Sequence, residues 1–251
     1  MADQTHDAPL LEARNLTRRF GALVAVDDVS FIVEKGQVFG IAGPNGSGKS
    51  TLFNIITGVP FRPSSGQVFL SGQPIERLRP HQISRAGILR TFQKDAEFAT
   101  LSARENAYAS AVFCGQSDSR SAHAAAEQAL DDVSFDKGRR DRAAWALSVF
   151  ERKQLMIASA IAGRPKVLLL DEPAAGLTRP EIADLARLVR TVHERGITVV
   201  LIEHVLPLLL DVSQHLMILN QGAIIASGKP QEVVRNPLVM EAYLGKREAV
   251  L

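Results

Sequence analysis

Cysteine and tryptophan each occur once in this 251-residue chain. Cys114 has no partner for an intrachain disulfide, so packing alone must hold the fold, as suits a reducing cytoplasm. Charge of one sign is also missing: the formal net charge is +2. Broad binding to nucleic acid needs concentrated positive charge, so no nucleic-acid partner is expected. Long hydrophobic runs are absent too. The most apolar stretch, "ITVVLIEHVLPLLL" (197–210), is interrupted by Glu203, His204 and Pro207 and is too short for a membrane span. The opening residues "MADQTHDAPL" lack the basic region and apolar core of a signal peptide. The expectation is a soluble chain whose membrane role, if it has one, comes through a partner.

What is present is a regular alternation. "VFGIA" (38–42), "VLLL" (167–170) and "ITVVLI" (197–202) have the continuous apolar character of strands buried on both faces. Each precedes turn residues and then a helix-compatible stretch, which is the pattern of βαβ units and a parallel sheet. Upstream, "LLEARNLTRRF" and "VAVDDVSFIVEKGQVF" read as antiparallel strands with "EKG" as a turn, and "SSGQVFLSGQPI" (64–75) as another strand pair. From about 98 to 146 the strand signal gives way to alanine-rich helices, "ARENAYASAVF" and "SAHAAAEQALDDV". "HLMILNQGAIIASG" (215–228) reads as a hairpin turning at Asn220–Gly222, and "PQEVVRNPLVMEAYLG" as two short helices.

The first chemical signal is "GPNGSGKST", comprising Gly43, Pro44, Asn45, Gly46, Ser47, Gly48, Lys49, Ser50 and Thr51. It lies between a strand and a helix, the context in which G-x-x-x-x-G-K-[ST] cradles phosphate. The glycines let backbone N–H groups converge on phosphate oxygens. The helix start adds a positive end, Lys49 neutralises the β- and γ-phosphates, and the Ser50 hydroxyl is a ligand for Mg²⁺. A chance glycine-rich turn would need none of the flanking elements.

The second signal is Asp171-Glu172-Pro173 at the end of the "VLLL" strand. An acid there can hold Mg²⁺ through its water shell, and the next can deprotonate an attacking water. By itself the pair could equally be a polar strand end before a proline turn. Beside a phosphate loop it points to hydrolysis.

Together these residues resemble the ATP-binding subunits of ABC transporters, from about Leu10 to Gly245. The likeness includes Gln93 in "RTFQK", His204 in "LIEHV", and Phe20 just before the first βαβ unit. It implies that Gln93 coordinates Mg²⁺ and senses the coupling interface, that His204 contacts the γ-phosphate and attacking water, and that Phe20 stacks on adenine. It also implies an α/β P-loop NTPase core with a mainly parallel sheet, an N-terminal antiparallel β subdomain and an inserted α-helical subdomain. The whole would be one domain over 8–247, with the helical part at about 98–163 and short C-terminal helices at about 230–245. "AVDDVSF", "LFNIITG", "EPAAGL" and "EAYLG" look like the ATPases of branched-chain amino-acid importers. Importers of related amides, urea or aromatic acids, and the lipopolysaccharide-export ATPase, are near relatives. The implied cofactors are ATP and Mg²⁺. The implied partners are a second ATPase subunit, transmembrane permease subunits and, indirectly, a solute-binding protein, at the cytoplasmic face of the inner or plasma membrane.

One stretch departs from that likeness. The family's signature, Leu-Ser-Gly-Gly-Gln or a near variant, faces the phosphate loop of the opposite subunit. Here it reads "LSVFE" (147–151). Leu147 and Ser148 remain, but Phe150 stands where a glycine would let backbone approach phosphate. Thr178 stands where the family has aspartate or asparagine after "GL". Ser148 and Glu151 also have capping-box spacing, so the stretch can start a helix while making a poor signature. The expectation is an asymmetric heterodimer, with a homodimer as the alternative. A non-hydrolysing nucleotide-binding scaffold is a rival, as is a soluble ABC ATPase of DNA repair or translation. The latter usually carries paired domains or long coiled-coil insertions, which are not seen here. GTPase and kinase readings lack their own motifs.

Overall fold

The computed structural model describes residues 9–91, 97–115 and 118–244. In chain order, the first half contains β1 (Leu11–Phe20), β2 (Leu23–Val33), β3 (Val38–Ala42), α1 (Lys49–Thr57), β4 (Ser65–Leu70), β5 (Gln73–Pro74), α2 (Pro80–Ala86) and β6 (Ile88–Arg90). Three helices follow: α3 (Ala103–Phe113), α4 (Ser119–Asp132) and α5 (Val149–Ala162). The remainder comprises β7 (Val167–Asp171), α6 (Arg179–Glu194), β8 (Thr198–Ile202), α7 (Leu206–Val212), β9 (His215–Asn220), β10 (Ala223–Gly228), α8 (Pro230–Val233) and α9 (Pro237–Leu244).

These strands form two sheets. One is antiparallel with order β2-β1-β4-β5, and the other has order β10-β9-β3-β8-β7-β6. In the second sheet β9, β3, β8, β7 and β6 run parallel, and β10 returns antiparallel along β9. The expected α/β P-loop fold is therefore present. All five residues of β3, β7 and β8 are buried, because both faces of the sheet are covered. The two-residue side-chain period sorts them into two cores. Val167, Leu169, Val200 and Ile202 pack with Phe39, Phe53 and the antiparallel sheet. Leu168, Leu170, Val199 and Leu201 pack on the opposite side with Leu185, Val189 and Leu209 of the helices.

Between β6 and β7 the described residues include three α-helices, α3, α4 and α5, which pack on one another. Alanines at 103, 107, 111, 122, 126 and 129 are buried at these contacts. Small side chains let the helices approach closely. Ser102 and Glu105 form a capping box at the start of α3, and Asp118 accepts from the N–H groups of Arg120 and Ser121 at the start of α4.

Two features differ from the sequence reading. The edge strand β6 and the helix α2 were not among the expected elements; at three and seven residues, they carry too little periodicity to register. Gly163 caps α5 without the left-handed conformation common at helix ends. Its φ is −72°, and the left-handed residue is Arg164 at 53°. A Cβ on Gly163 would lie 2.4 Å from Leu89 Cδ1, so close packing, not turn geometry, requires the glycine.

Candidate functional site

The phosphate loop leaves β3 and enters α1, whose N-cap is Gly48. Gly43, Gly46 and Gly48 have φ of 153°, 79° and 104°, values that suit glycine. The loop is also clamped from outside. A Cβ on Gly43 would sit 2.1 Å from the Leu219 carbonyl oxygen, and one on Gly48 2.4 Å from that of Ala25. Gly222, in the β9–β10 turn, donates from its N–H to the Ser47 carbonyl at 3.0 Å. The concavity is thus built from β2, β3 and a distant hairpin.

Lys49 is 5% exposed, and its Nζ donates to the carbonyls of Gly43 at 2.8 Å and Pro44 at 3.0 Å. Burial pushes its ammonium below the ordinary lysine range, while Glu172 and Asp171 act in the opposite direction. Above the loop is a cavity of about 310 Å³, walled by Asn45 through Thr51, by Phe20, Leu23 and Ala25, and by Glu172. Phe20 is 39% exposed, meets Phe61 edge-on at 4.9 Å and has the Arg18 guanidinium 4.6 Å from its ring centre. An aromatic held this way offers a face to a flat ring.

Asp171 ends β7 and is buried at 3% exposure. Its Oδ2 accepts from Arg90 Nη2 at 2.6 Å, and Arg90 Nη1 also donates to Asn54 Oδ1 at 2.7 Å. The other oxygen, Oδ1, is buried without a hydrogen-bond partner among the described residues. An orphaned carboxylate oxygen needs a donor or cation. Among the described residues no group of three metal-ligating acids, histidines or cysteines exists. One orphaned carboxylate oxygen, the Ser50 hydroxyl and substrate phosphates suit Mg²⁺, which binds few protein ligands and keeps its waters. Gln93, the other expected ligand, lies outside the described residues.

Glu172 follows with φ of 47°, a left-handed conformation costing about 1 to 2 kcal/mol for a side-chain-bearing residue. Its N–H donates to the Ile202 carbonyl at 2.9 Å, which fixes the turn against β8. His204, just beyond β8, has a side chain 52% exposed and stands outside the cavity wall. Ser148 is exposed at the start of α5. Its Oγ accepts from the Glu151 N–H at 3.2 Å, and its N–H donates to Glu151 Oε2 at 2.7 Å. Arg139 Nη2 adds a bond to the same Oε2 at 2.9 Å. Thr178 likewise starts α6, its N–H and hydroxyl both 2.7 Å from Glu181 Oε2.

The phosphate loop, Phe20 and Glu172 therefore share one cavity, with Asp171 buried at the adjacent strand end. Ser148 is not among its walls. Sequence reading missed Arg90, Asn54 and Glu203. Glu203 is fully buried, and its Oε1 accepts from the Ala174 N–H at 2.6 Å. An acid directly after four apolar strand residues, 199–202, was the available signal. A second concavity, of about 450 Å³, lies between α2, β6, α3 and α5, and Phe98 and Phe113 on its wall are 61% and 72% exposed.

Known proteins resemble this chain over most of its length. The family model described as ABC transporter matches residues 26–175, and that described as branched-chain amino acid ATP-binding cassette transporter matches 223–249. The high-affinity branched-chain amino acid transport ATP-binding protein BraF of Pseudomonas aeruginosa is 39% identical, over 95% of this chain and 98% of its own. The lipopolysaccharide export system ATP-binding protein LptB of Acidithiobacillus ferridurans is 35% identical, over 94% and 97%. The crystal structure of the ADP conformation of an ATP-binding cassette of an ABC transporter superposes with a TM-score of 0.85 at 31% identity, covering 95% of this chain and 100% of that one. The chain belongs to the ABC transporter family, as an ATP-hydrolysing, ATP-binding subunit resembling those of branched-chain amino-acid transporters.

Proposed function

We propose that this subunit powers import of branched-chain amino acids or related small amides and acids. It would dock on permease subunits at the cytoplasmic face of the inner or plasma membrane, with a solute-binding protein acting indirectly. The observation that carries the catalytic reading is the meeting of Lys49 and Glu172 at one cavity, with Asp171 buried beside it. Lys49 and the loop N–H groups bind the phosphates, while Phe20 stacks on the base. Ser50, Gln93 and Asp171 would hold Mg²⁺. When bound, that ion would neutralise charge on the β- and γ-phosphates. Glu172 takes a proton from the attacking water, and His204 orients that water against the γ-phosphate.

The exposed Phe98 and Phe113 beside an apolar groove support permease docking there, because contiguous exposed apolar surface marks an interface. Residues 98–163 act as the moving helical part of a single domain spanning 8–247. Two ATPase subunits close on two nucleotides, and a heterodimer is favoured because Phe150 and Thr178 alter the surfaces offered to the partner. Ser148 and Thr178 each being committed to a helix cap supports that asymmetry. The likeness to LptB favours one second reading, export of a lipid-linked substrate.

Steady-state ATP hydrolysis by the assembled transporter tests the core of this reading. Glu172→Gln is expected to lower turnover by about a hundredfold or more while nucleotide still binds. Unchanged turnover overturns it. Leucine uptake into vesicles holding the full transporter separates import from export.

A further inference from the structure

We propose that Glu203 is a positioning residue for ATP hydrolysis. Its buried carboxylate ties the turn that carries Glu172 to the loop that carries His204, and so fixes the two groups relative to each other. The inference rests on the roles given above to Glu172 and His204.

Strands β7 and β8 are adjacent and parallel, with Asp171 opposite Ile202. The next residues, Glu172 and Glu203, leave the sheet side by side. From there the chain segments diverge into turns that the β ladder no longer holds. The carboxylate of Glu203 supplies the missing tie. Its Oε1 accepts from the Ala174 N–H at 2.6 Å, two residues beyond Glu172. Its Oε2 accepts from the His204 N–H at 3.2 Å and lies 3.8 Å from His204 Nδ1. Its own N–H donates to the Ile41 carbonyl at 3.1 Å, in the strand that leads to the phosphate loop. One residue thus touches the exits of β3, β7 and β8.

Glu203 is 0% exposed, and an acid is expensive to keep there. Burial pushes its carboxyl above the ordinary range, while the N–H groups of Ala174 and Val205 and the neighbouring His204 hold it down. The hydrogen bonds to the carboxylate come from the loops bearing the groups assigned to hydrolysis. A glutamine at this position retains the shape but only one acceptor oxygen, and its amide nitrogen would face a backbone donor.

The test compares Glu203→Gln with the unaltered protein in the assembled transporter, measuring kcat, KM for ATP, affinity for a non-hydrolysable ATP analogue and melting temperature. Loss of one charge-assisted bond at the turn is expected to lower kcat about tenfold or more, with KM and analogue affinity within about twofold. In a His204→Ala background the same substitution should cost much less, because the imidazole that the tie positions is then gone. A folded Glu203→Gln variant with unchanged kcat overturns the inference. So does a loss shared equally by binding and melting temperature, or an equal cost with and without His204. Glu172→Gln run in parallel separates the two readings. If it leaves turnover intact, the role of Glu172 fails. If it abolishes turnover while Glu203→Gln does not lower kcat, only the present inference fails.

Discussion

Arg90 Nη2 lies 2.6 Å from Asp171 Oδ2, and both side chains are nearly closed to solvent, at 6% and 3% exposure. The pair joins the edge strand β6 to the strand end behind the phosphate loop, and it leaves Oδ1 of the same carboxylate without a partner among the described residues.

Removing one member of such a pair strands a charge where water cannot reach it. Arg90→Ala is therefore expected to destabilise the subunit by about 3 to 5 kcal/mol, read from urea unfolding. Adding Asp171→Asn should recover much of that loss, because the stranded charge is then gone. If the single and double variants are equally unstable, the pair is not what holds β6 to β7.

Two glycines of the phosphate loop provide an internal control. Both Gly46 and Gly48 are left-handed, but a Cβ on Gly46 meets nothing within 4 Å, whereas one on Gly48 meets Ala25 O at 2.4 Å. Gly46→Ala should cost about 1 to 2 kcal/mol of stability from conformation alone. Gly48→Ala must also move the loop away from β2. Its affinity for a fluorescent ATP analogue should fall about tenfold more than that of Gly46→Ala. Equal effects would show that backbone conformation, not the clash, governs the loop.

At the start of α5 two demands meet on one stretch. Ser148→Ala is expected to cost about 1 kcal/mol in thermal or urea unfolding, through loss of the cap to the Glu151 N–H. Phe150→Gly should also destabilise the helix, by about 1 kcal/mol. Yet in the complex with its partner ATPase it should raise turnover at the site that this stretch completes, by up to about a hundredfold. Turnover unchanged by Phe150→Gly would mean that the phenylalanine does not limit that site.

Glu203 also gives stability a specific pH dependence. Burial raises its carboxyl in the folded state, so in the window above the ordinary carboxylate value the native protein binds more protons than the unfolded chain. Stability from this group is therefore greatest at low pH and declines as pH rises through that window. Glu203→Gln has no such proton. The difference in unfolding free energy, variant minus unaltered protein, should shift toward the variant as pH rises above the ordinary glutamate value of about 4.3. A difference that stays flat across this range would mean that Glu203 titrates alike in both states.

How much of this was legible in the sequence depends on how far apart the cooperating residues lie. The phosphate loop is one contiguous strand–turn–helix segment, so its glycines, Lys49 and Ser50 carried their placement with them. The helix start at Ser148 was legible for the same reason, since its cap closes within three residues. The continuous apolar runs of β3, β7 and β8 likewise announced a sheet covered on both faces. β6 and α2 did not announce themselves, being too short for a period to show. The reason for a glycine at 163 was not legible locally either, because it is a leucine 74 positions earlier in the chain.

By itself, then, the sequence determined which residues could hold a triphosphate and which strands would be buried, because local spacing and side-chain period settle both. Only the tertiary structure decided which acids are shielded, which is paired and which retains an open oxygen. Arg90 and Asp171 are 81 residues apart, and Glu203 and Ala174 are 29 apart. Any of many charges could have met these partners until sheet order brought particular strand ends together, and burial then made each pairing obligatory.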